Sequence, residues 1–183
     1  MKSPISKSSL QISDVAPRDL HAIAQHYASE VGEGVATFDT IAPPLSYWES
    51  KLEASQQDRY PFLVARHPNH PSPTVCGWAS VSPYDSKAAY ARCAEFSVYV
   101  LDAYQGHGIG RLLMEQMLNT IGKHSTIHTL ISRIVPTQNA SIRLHESLGF
   151  KLIGTMTAVG EKLGSLRDVA IYQYHANQTL SSS

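Results

Sequence analysis

The hydrophobic positions along the chain follow two spacings, and each spacing predicts a different kind of element. Apolar residues recur every three or four positions after Pro17, and again over 45–57 and 109–121, which predicts three amphipathic helices. Short runs rich in β-branched and aromatic residues predict strands. These runs are 10–12, 62–65, 75–81, 94–101, 129–135, 150–159 and 167–174.

Turn-forming residues separate these segments and fix their order. Gly32 and Gly34 are predicted to end the first helix, and a proline- and asparagine-rich turn over 68–73 predicts a hairpin between the runs on either side of it. A short fourth helix is predicted to begin near 137–141 and to end at Gly149. Gly160 and Gly164 are expected to join the last two strands. The order is therefore strand, two helices, three strands, helix, strand, helix and two strands, which is an α/β arrangement.

Composition and charge indicate the class of protein. With 183 residues, 43% hydrophobic and 16% charged, the chain fits one compact domain, which we place at 9–175 with polar, flexible tails at 1–8 and 176–183. The 15 Lys and Arg balance the 15 Asp and Glu, so no net charge favours nucleic acid. The polar N-terminus does not resemble a secretory signal, and no apolar run reaches the roughly 20 residues that span a bilayer. We predict a cytoplasmic protein without membrane or nucleic-acid partners.

The two cysteines, Cys76 and Cys93, belong to no Cys-x-x-Cys motif and no Cys/His cluster. They therefore predict neither a disulfide framework nor a metal site. We expect no metal cofactor.

The chemistry-bearing segment follows the strand at 94–101 and opens the helix at 109–121. Three glycines within Gln105–Gly110 allow a tight turn and let an anion approach the backbone amides, and the helix N-terminus adds a positive end. A P-loop is excluded because no Gly-Lys-Ser/Thr follows, and Arg111 replaces the third glycine of a dinucleotide fingerprint. The glycines alone also fit a turn that merely begins a helix.

Gln105–Gly110 matches the signature of the GNAT N-acetyltransferases, and other stretches extend the resemblance over most of the chain. GVATFDT (34–40), RYPFLVA (59–65), AEFSVYV (94–100) and ASIRLHESLGF (140–150) resemble the phosphinothricin and methionine sulfoximine acetyltransferases. The resemblance implies a GNAT fold, a mixed, mostly antiparallel central sheet of about six to seven strands flanked by about four helices and splayed at the cofactor-binding strand. It also implies a homodimer.

The same resemblance implies acetyl-CoA as co-substrate. Its pyrophosphate would bind the loop made of Gln105, Gly106, His107, Gly108, Ile109 and Gly110. The pantetheine arm would lie along Ser97, Val98 and Tyr99, where its amides can pair with a strand edge. Asn139 and Ser141 would touch the cofactor from the next helix, although Asn139 equally fits a helix N-cap.

Two residues are candidates for proton transfer. Glu95 begins the central strand among apolar residues, where desolvation would raise its pKa toward that of a working base, and it matches the family's proposed general base. A strand-edge salt bridge is the alternative. His145 stands where this subfamily has a histidine, and it would relay a proton or protonate the departing thiolate unless it is only packed or capping. Cys93 lacks a histidine motif, so we expect direct transfer, with the Val98 amide facing the oxyanion.

The acceptor is expected to be a small-molecule amine, such as an amino acid or an analogue like phosphinothricin or methionine sulfoximine. Phe38, Tyr84 and Tyr90 match pocket positions, although core packing is the alternative for each. Lys87 would pair with a carboxylate, although an isolated loop lysine more often is only solvated. Asp85 stands where a second cation is expected, and Leu166 replaces a usual tryptophan. Acetylation of a peptide or protein amine remains an alternative, as does a non-catalytic acyl-CoA sensor, which the retention of Glu95 and His145 disfavours.

Overall fold

The computed structural model describes residues 10–57, 60–68, 74–124 and 126–176. Its helices and strands follow the predicted order. The strands are β1 Gln11–Asp14, β2 Phe62–His67, β3 Thr74–Pro83, β4 Cys93–Val100, β5 Thr129–Ile134, β6 Lys151–Lys162 and β7 Ser165–His175. The helices are α1 Leu20–Glu33, α2 Leu45–Gln56, α3 Ile109–His124 and α4 Asn139–Ser147. Within these residues, no helix is both long and apolar enough to cross a membrane.

All strands join one seven-stranded sheet in the order β1-β2-β3-β4-β5-β7-β6. The pair β4 and β5 is parallel, and every other neighbouring pair is antiparallel. The predicted α/β fold with a mixed, mostly antiparallel sheet is confirmed. The predicted hairpin of β2 and β3 is confirmed as well, while most of its turn (69–73) lies outside the described residues, as do 1–9 and 177–183.

The parallel pairing of β4 and β5 is short. It runs from Cys93 opposite Thr129 to Glu95 opposite Ile131, and β4 then continues to Val100 while β5 moves away. A side-chain hydrogen bond crosses the opening, from the Ser132 hydroxyl to the Phe96 carbonyl oxygen at 3.4 Å. The sheet is therefore splayed at β4, as the resemblance implied.

Helices cover both faces of the sheet. Leu113, Met114 and Met117 of α3 are fully buried against one face, and Ile23 of α1 and Trp48 of α2 are buried against the other. Strands β2 and β3 are therefore buried on both sides, which explains why they read as continuous apolar runs rather than as alternating ones.

The predicted end of α1 at Gly34 is confirmed, whereas Gly32 lies inside the helix. Helix α1 ends at Glu33, and the Gly34 amide caps it by donating to the Glu30 carbonyl at 3.0 Å. The predicted boundary between the last two strands was wrong. The last two strands are longer than predicted and turn at Leu163 and Gly164, both with positive φ, so Gly160 lies inside β6. Strand β6 is exposed on both faces, so its sequence carries no alternation that would mark its end.

A buried ion pair fastens β1 and the start of α1 to β2. Arg66 on β2 donates through Nε to Asp19 Oδ1 at 2.9 Å and through Nη2 to the Asp14 carbonyl at 3.2 Å. Its Nη2 also pairs with Asp19 Oδ2, which accepts the Ala16 amide at 2.7 Å. Both charged side chains are buried, so each depends on the other for compensation of its charge.

We predict that Asp19→Ala lowers the free energy of unfolding by about 3–5 kcal/mol, because it leaves the Arg66 guanidinium buried and unpaired. Urea denaturation followed by circular dichroism measures the loss. The control is Glu115→Ala, which removes the exposed pair of Arg111 and Glu115, both 46% exposed, and should cost less than about 1 kcal/mol. Equal losses in the two variants would contradict a structural role for the buried pair.

Candidate active site

The splay between β4 and β5 opens a cleft of about 760 Å³. The Phe96 carbonyl accepts the Ser132 hydroxyl from the β5 side, and the Val100 carbonyl accepts the Gln105 side-chain amide at 3.2 Å. Because the backbone groups of alternate strand residues point the same way, the N–H and C=O of Val98 also face the cleft. Val98 thus offers a donor and an acceptor of the kind that an added strand would pair with.

A tight loop closes one end of this cleft and leads into α3. Gly106 and Gly108 have φ of +82° and +80°, which favour glycine, and Ile109 is buried at the start of the helix. The Gln105 amide also donates to Asp102 Oδ1 at 2.8 Å, so the loop is tied to the end of β4. The backbone amides at the helix N-terminus can therefore bind an anion beside the cleft.

Most of the residues assigned to the cofactor from the sequence line this cleft. They are Ser97, Val98, Tyr99, Gln105, Gly106, Gly108, Ile109, Gly110, Asn139 and Ser141. His107 is not among the lining residues, because its Nδ1 lies 3.0 Å from the Gln105 carbonyl and its ring folds back on the loop. The capping alternative for Asn139 is wrong, since Gln138 occupies the N-cap and Asn139 is the first helical residue.

Sequence reasoning missed further polar residues of the cleft. His26 and Glu30 lie one turn apart on α1, and Ser132 lies on β5. The four-residue spacing of His26 and Glu30 places them on one helix face, and this was the available signal.

His145 lies on α4 at the wall of the cleft and is 2% exposed. Its Nδ1 is 2.8 Å from the Ser141 carbonyl oxygen, so Nδ1 carries the proton that this contact requires. Burial lowers the pKa of His145 below its usual value, while the Ser141 carbonyl acts in the opposite direction. The neutral imidazole therefore keeps a lone pair on Nε2.

A second cavity of about 480 Å³ adjoins the cleft. The two share a wall made of Ala36, Phe96, Ser97, Tyr99 and Arg133. Glu95 and Phe38 line the second cavity, which we call the acceptor-side pocket. Glu95 thus lies next to the residues where the two cavities meet.

Glu95 differs from its sequence-based description. Its side chain is 32% exposed, and its Oε2 forms an ion pair with Nη1 of Arg133. The expectation of a desolvated carboxylate among apolar neighbours was therefore wrong. The reason is the splay, because Arg133 lies two residues beyond Ile131, the last β5 residue that pairs with β4. The contact between Glu95 and Arg133 depends on the register of β4 and β5, and no pattern in the sequence reveals that register.

Phe38 lies on the loop between α1 and α2, which hydrogen bonds from Tyr27 and Lys162 hold in place. The Tyr27 hydroxyl donates to Asp39 Oδ2 at 2.7 Å and contacts Thr37 Oγ1 at 2.6 Å. Buried Lys162 on β6 donates to the Asp39 carbonyl oxygen at 2.5 Å. The Phe38 ring packs over Gly160, where an added Cβ would lie 2.4 Å from ring carbons.

The loop after β3 lies farther from both cavities than the sequence suggested. Tyr84, Tyr90 and Lys87 are exposed and line neither the cleft nor the acceptor-side pocket. The Tyr84 and Tyr90 rings contact each other edge-on at 5.5 Å, and the Lys87 amide donates to Asp85 Oδ1 at 2.8 Å. Tyr84 contacts the site through Arg133, whose guanidinium lies 5.8 Å from its ring centre.

Lys51 was missed from the sequence, although it lines the acceptor-side pocket. Its Nζ donates to Ser82 Oγ at 2.7 Å. Burial lowers its pKa to about 8, against the opposing effect of the Glu95 charge. A signal was present, since Lys51 follows buried Trp48 by three positions on α2 and directly precedes buried Leu52.

In the described part of the chain, no group of three or more His, Cys, Asp or Glu side chains is placed to hold a metal ion. Acidic, basic and backbone amide groups line the two adjoining cavities. That arrangement fits a reaction between an extended ligand with an anionic end and a smaller second molecule.

Comparison with known proteins identifies the family. The model of the acetyltransferase (GNAT) family matches residues 22–150. The chain is 33% identical to phosphinothricin N-acetyltransferase of Streptomyces coelicolor over 90% of this chain and 95% of that protein. It is 29% identical to L-methionine sulfoximine/L-methionine sulfone acetyltransferase of Pseudomonas paraeruginosa, over 95% and 99% of the two chains.

The fold agrees with these matches. The phosphinothricin acetyltransferase of Sinorhizobium meliloti, solved in complex with acetyl-CoA, superposes with a TM-score of 0.85 and 27% identity, over 96% of this chain and 92% of that one. The family model covers well over half of the sequence, and it includes the loop, the splayed strand and His145. The chain therefore belongs to the acetyltransferase (GNAT) family.

Proposed function

We propose that this chain, an acetyl-CoA-dependent N-acetyltransferase, acetylates the amine of an amino acid or a close analogue, by direct attack with Glu95 as the base. The observation that carries the proposal is the meeting of two cavities beside Glu95, the larger with free strand and helix amides and the smaller with aromatic and charged side chains. A donor and an acceptor bound in these cavities would approach each other at Phe96 and Ser97.

The residues of the cleft fit the donor. The amides of Gly106 to Gly110 at the start of α3 would hold the pyrophosphate, and the Val98 carbonyl would accept an amide N–H of the pantetheine arm. Acetyl-CoA supplies the acetyl group as a thioester. The Val98 N–H, turned toward the cleft, would also stabilise the negative charge on the carbonyl oxygen during attack.

The base has to remove a proton from the acceptor ammonium before or during attack. Glu95 is placed for this step, because its carboxylate opens onto the acceptor-side pocket at the shared wall. His145 suits proton acceptance better than protonation of the thiolate, because it is neutral and its Nδ1–H is held by Ser141. We assign it a relay role behind Glu95.

The shape of the acceptor-side pocket favours a metabolite over a peptide. Phe38, Tyr27 and Tyr47 enclose a volume of about 480 Å³, which suits a small ligand. The relatives named above are acetyltransferases of phosphinothricin and of methionine sulfoximine or sulfone, and we extend an amino-acid-like acceptor to this chain. A pure acyl-CoA sensor would not need a base beside the junction of the two cavities.

We also infer a homodimer that forms through the hairpin of β6 and β7. Strand β6 is the edge of the sheet, and it exposes Leu152, Ile153 and Val159 at 50–60% of their surface. Leu166 on β7 is 66% exposed. Contiguous exposed apolar side chains on an edge strand mark a contact surface, and a second copy would cover it symmetrically.

Both cysteines, Cys76 and Cys93, are free thiols. Free thiols are the rule in a reducing compartment, and we therefore place the reaction in the cytoplasm.

The first test is a thiol-release assay with acetyl-CoA and a panel of amino acids that includes phosphinothricin and methionine sulfoximine, with simple amines and short peptides for comparison. We expect turnover with amino acids, and we expect Glu95→Gln to lower kcat by about 100- to 1000-fold through loss of the base. Acetyl-CoA affinity, measured by calorimetry, should change by less than about twofold. Unchanged kcat would exclude Glu95 as the base, and an inactive wild type would revive the sensor alternative.

The contact between Phe38 and Gly160 gives a test of the acceptor-side pocket. Gly160→Ala should raise KM for the acceptor roughly tenfold, because the new methyl group displaces the Phe38 ring from the pocket wall. Gly154→Ala on the same strand is the matched control, since its Cβ would meet nothing within 4 Å. KM for acetyl-CoA should stay constant in both. Equal effects of the two substitutions would show that Phe38 does not shape the acceptor site.

The homodimer is tested by light scattering coupled to size-exclusion chromatography. The wild type should elute with twice the monomer mass, and Ile153→Asp combined with Leu166→Glu should give monomers, because each copy would bury unpaired carboxylates in the contact. Exposed Lys123 on α3 supplies the control, and Lys123→Glu should leave the mass unchanged. A monomeric wild type at micromolar concentration would refute the assignment.

A further inference from the structure

We propose that Lys51 and Arg133 together bind the carboxylate of the acceptor, so that the carboxylate-reading cations come from α2 and β5 rather than from the loop after β3. This inference rests on the proposed function and assigns the residues that select the acceptor in the same pocket. It assigns no role to Lys87.

The two cations approach one pocket from opposite elements. Lys51 extends from α2 to β3, where its Nζ donates to Ser82 Oγ at 2.7 Å, and Ser82 is the register partner of Glu95. Arg133 extends from β5 and pairs with the Glu95 carboxylate. Both side chains line the acceptor-side pocket. The cationic groups therefore flank the strand position that carries the proposed base.

The Lys51 ammonium group is suited to bind a further anion. Its ammonium has three N–H donors, of which one is used by Ser82, and it takes part in none of the ion pairs among the described residues. The Tyr47 ring lies 5.6 Å from Nζ and supplies only a weak contact. Lys51 is half-buried, and a ligand carboxylate would supply both the opposite charge and the hydrogen-bond acceptors.

The charges of the pocket match a zwitterion. Its charged side chains are Lys51, Arg133, Glu95 and Asp39, and the Asp39 carboxylate already accepts the Tyr27 hydroxyl. An amino acid would place its carboxylate at Lys51 and Arg133 and its ammonium at Glu95. An amine without a carboxylate would leave Lys51 unpaired.

The arrangement also links binding of the acceptor carboxylate to the action of Glu95 as a base. The pair of Arg133 and Glu95 is partly exposed, and such pairs are weak and exchangeable. The guanidinium has five donors and can turn toward an incoming carboxylate, which loosens its hold on Glu95. Glu95 is then available to take the ammonium proton. A carboxylate-bearing acceptor would thus help to release the base that its own acetylation requires.

The protonation state of Lys51 makes this recognition dependent on pH. The groups that face it are Tyr47 on its own helix, Glu95 on β4, Arg133 on β5, and Tyr27 with Asp39 on the α1 side. Burial raises the pKa of Tyr27 and of Tyr47, so neither hydroxyl ionises near pH 8. With its pKa near 8, Lys51 is charged below that pH and loses its charge above it. Carboxylate recognition should therefore weaken as pH rises through 8.

The test compares the best amino acid of the panel with its carboxamide. Lys51→Met should lower kcat/KM for the amino acid roughly 10- to 100-fold, which is the range for loss of a charged hydrogen bond, and should leave the carboxamide and KM for acetyl-CoA within about twofold. Lys51→Arg should keep the preference for the acid. Lys123→Met, on the exposed face of α3, should behave as wild type. Melting temperatures confirm that each variant is folded.

The pH profile gives an independent readout. The ratio of kcat/KM for wild type over Lys51→Arg cancels the titration of the acceptor amine, and it should be constant below pH 8 and fall about tenfold per pH unit well above it. The proposal is overturned if this ratio does not change with pH. It is also overturned if Lys51→Met lowers kcat/KM for the carboxamide as much as for the acid. A third result would overturn it as well: Lys87→Met loses the preference for the amino acid over its carboxamide, while Lys51→Met keeps that preference.

Failure of the proposed function is a separate outcome. If the wild type releases no thiol with any acceptor, calorimetry with L-methionine and L-methioninamide in the presence of CoA tests the inference by binding alone. Tighter binding of the acid that is lost in Lys51→Met supports it. Equal binding of the two ligands overturns it.

Discussion

The early end of the parallel pairing between β4 and β5 is the constraint on which the rest of the site depends. The strands pair from Cys93 to Glu95 and then diverge. Divergence opens the cleft, exposes the Val98 backbone and leaves room for Arg133 to reach Glu95. A splayed sheet would normally expose unpaired polar backbone, which is costly when it is buried. Here the Ser132 hydroxyl and the Gln105 amide bind the Phe96 and Val100 carbonyls and leave Val98 for a ligand.

The splay is stable because each side of it is held independently. On one face, α3 packs Leu113, Met114 and Met117 against the sheet, and on the other, Trp48 and Trp78 pack with the α1 side chains. The buried pair of Asp19 and Arg66 ties β1 and β2 to the start of α1. Strand β4 therefore keeps its position through β3 and the two layers of helices, without a continuous ladder to β5.

The sequence predicted the order of the elements and a set of residues most of which line one cleft, whereas it missed most of the contacts of the acceptor-side pocket. Element order follows from hydrophobic spacing, which is a local property, and the loop at Gln105–Gly110 is a contiguous motif. The acceptor-side pocket is assembled from two helices, five strands and the loop between α1 and α2, and its key contacts depend on register. Lys51 meets Ser82, and Arg133 meets Glu95, only because of how α2 and β5 are placed. The exposed positions of Tyr84, Lys87 and Tyr90 likewise follow from the loop's path and not from its composition.

The hairpin of β6 and β7 connects the acceptor-side pocket to the proposed contact between copies. Lys162 holds the Asp39 carbonyl, Gly160 accommodates the Phe38 ring, and Met156 and Val159 line the pocket. Val159 is also half exposed on the edge strand that a second copy would cover. A contact that orders this hairpin would therefore order the pocket wall, because an isolated edge hairpin is only weakly stabilised by its own pairing. Acceptor affinity and association between copies would then share one structural element, whereas the donor cleft, built on β4, β5 and α3, would be independent of it.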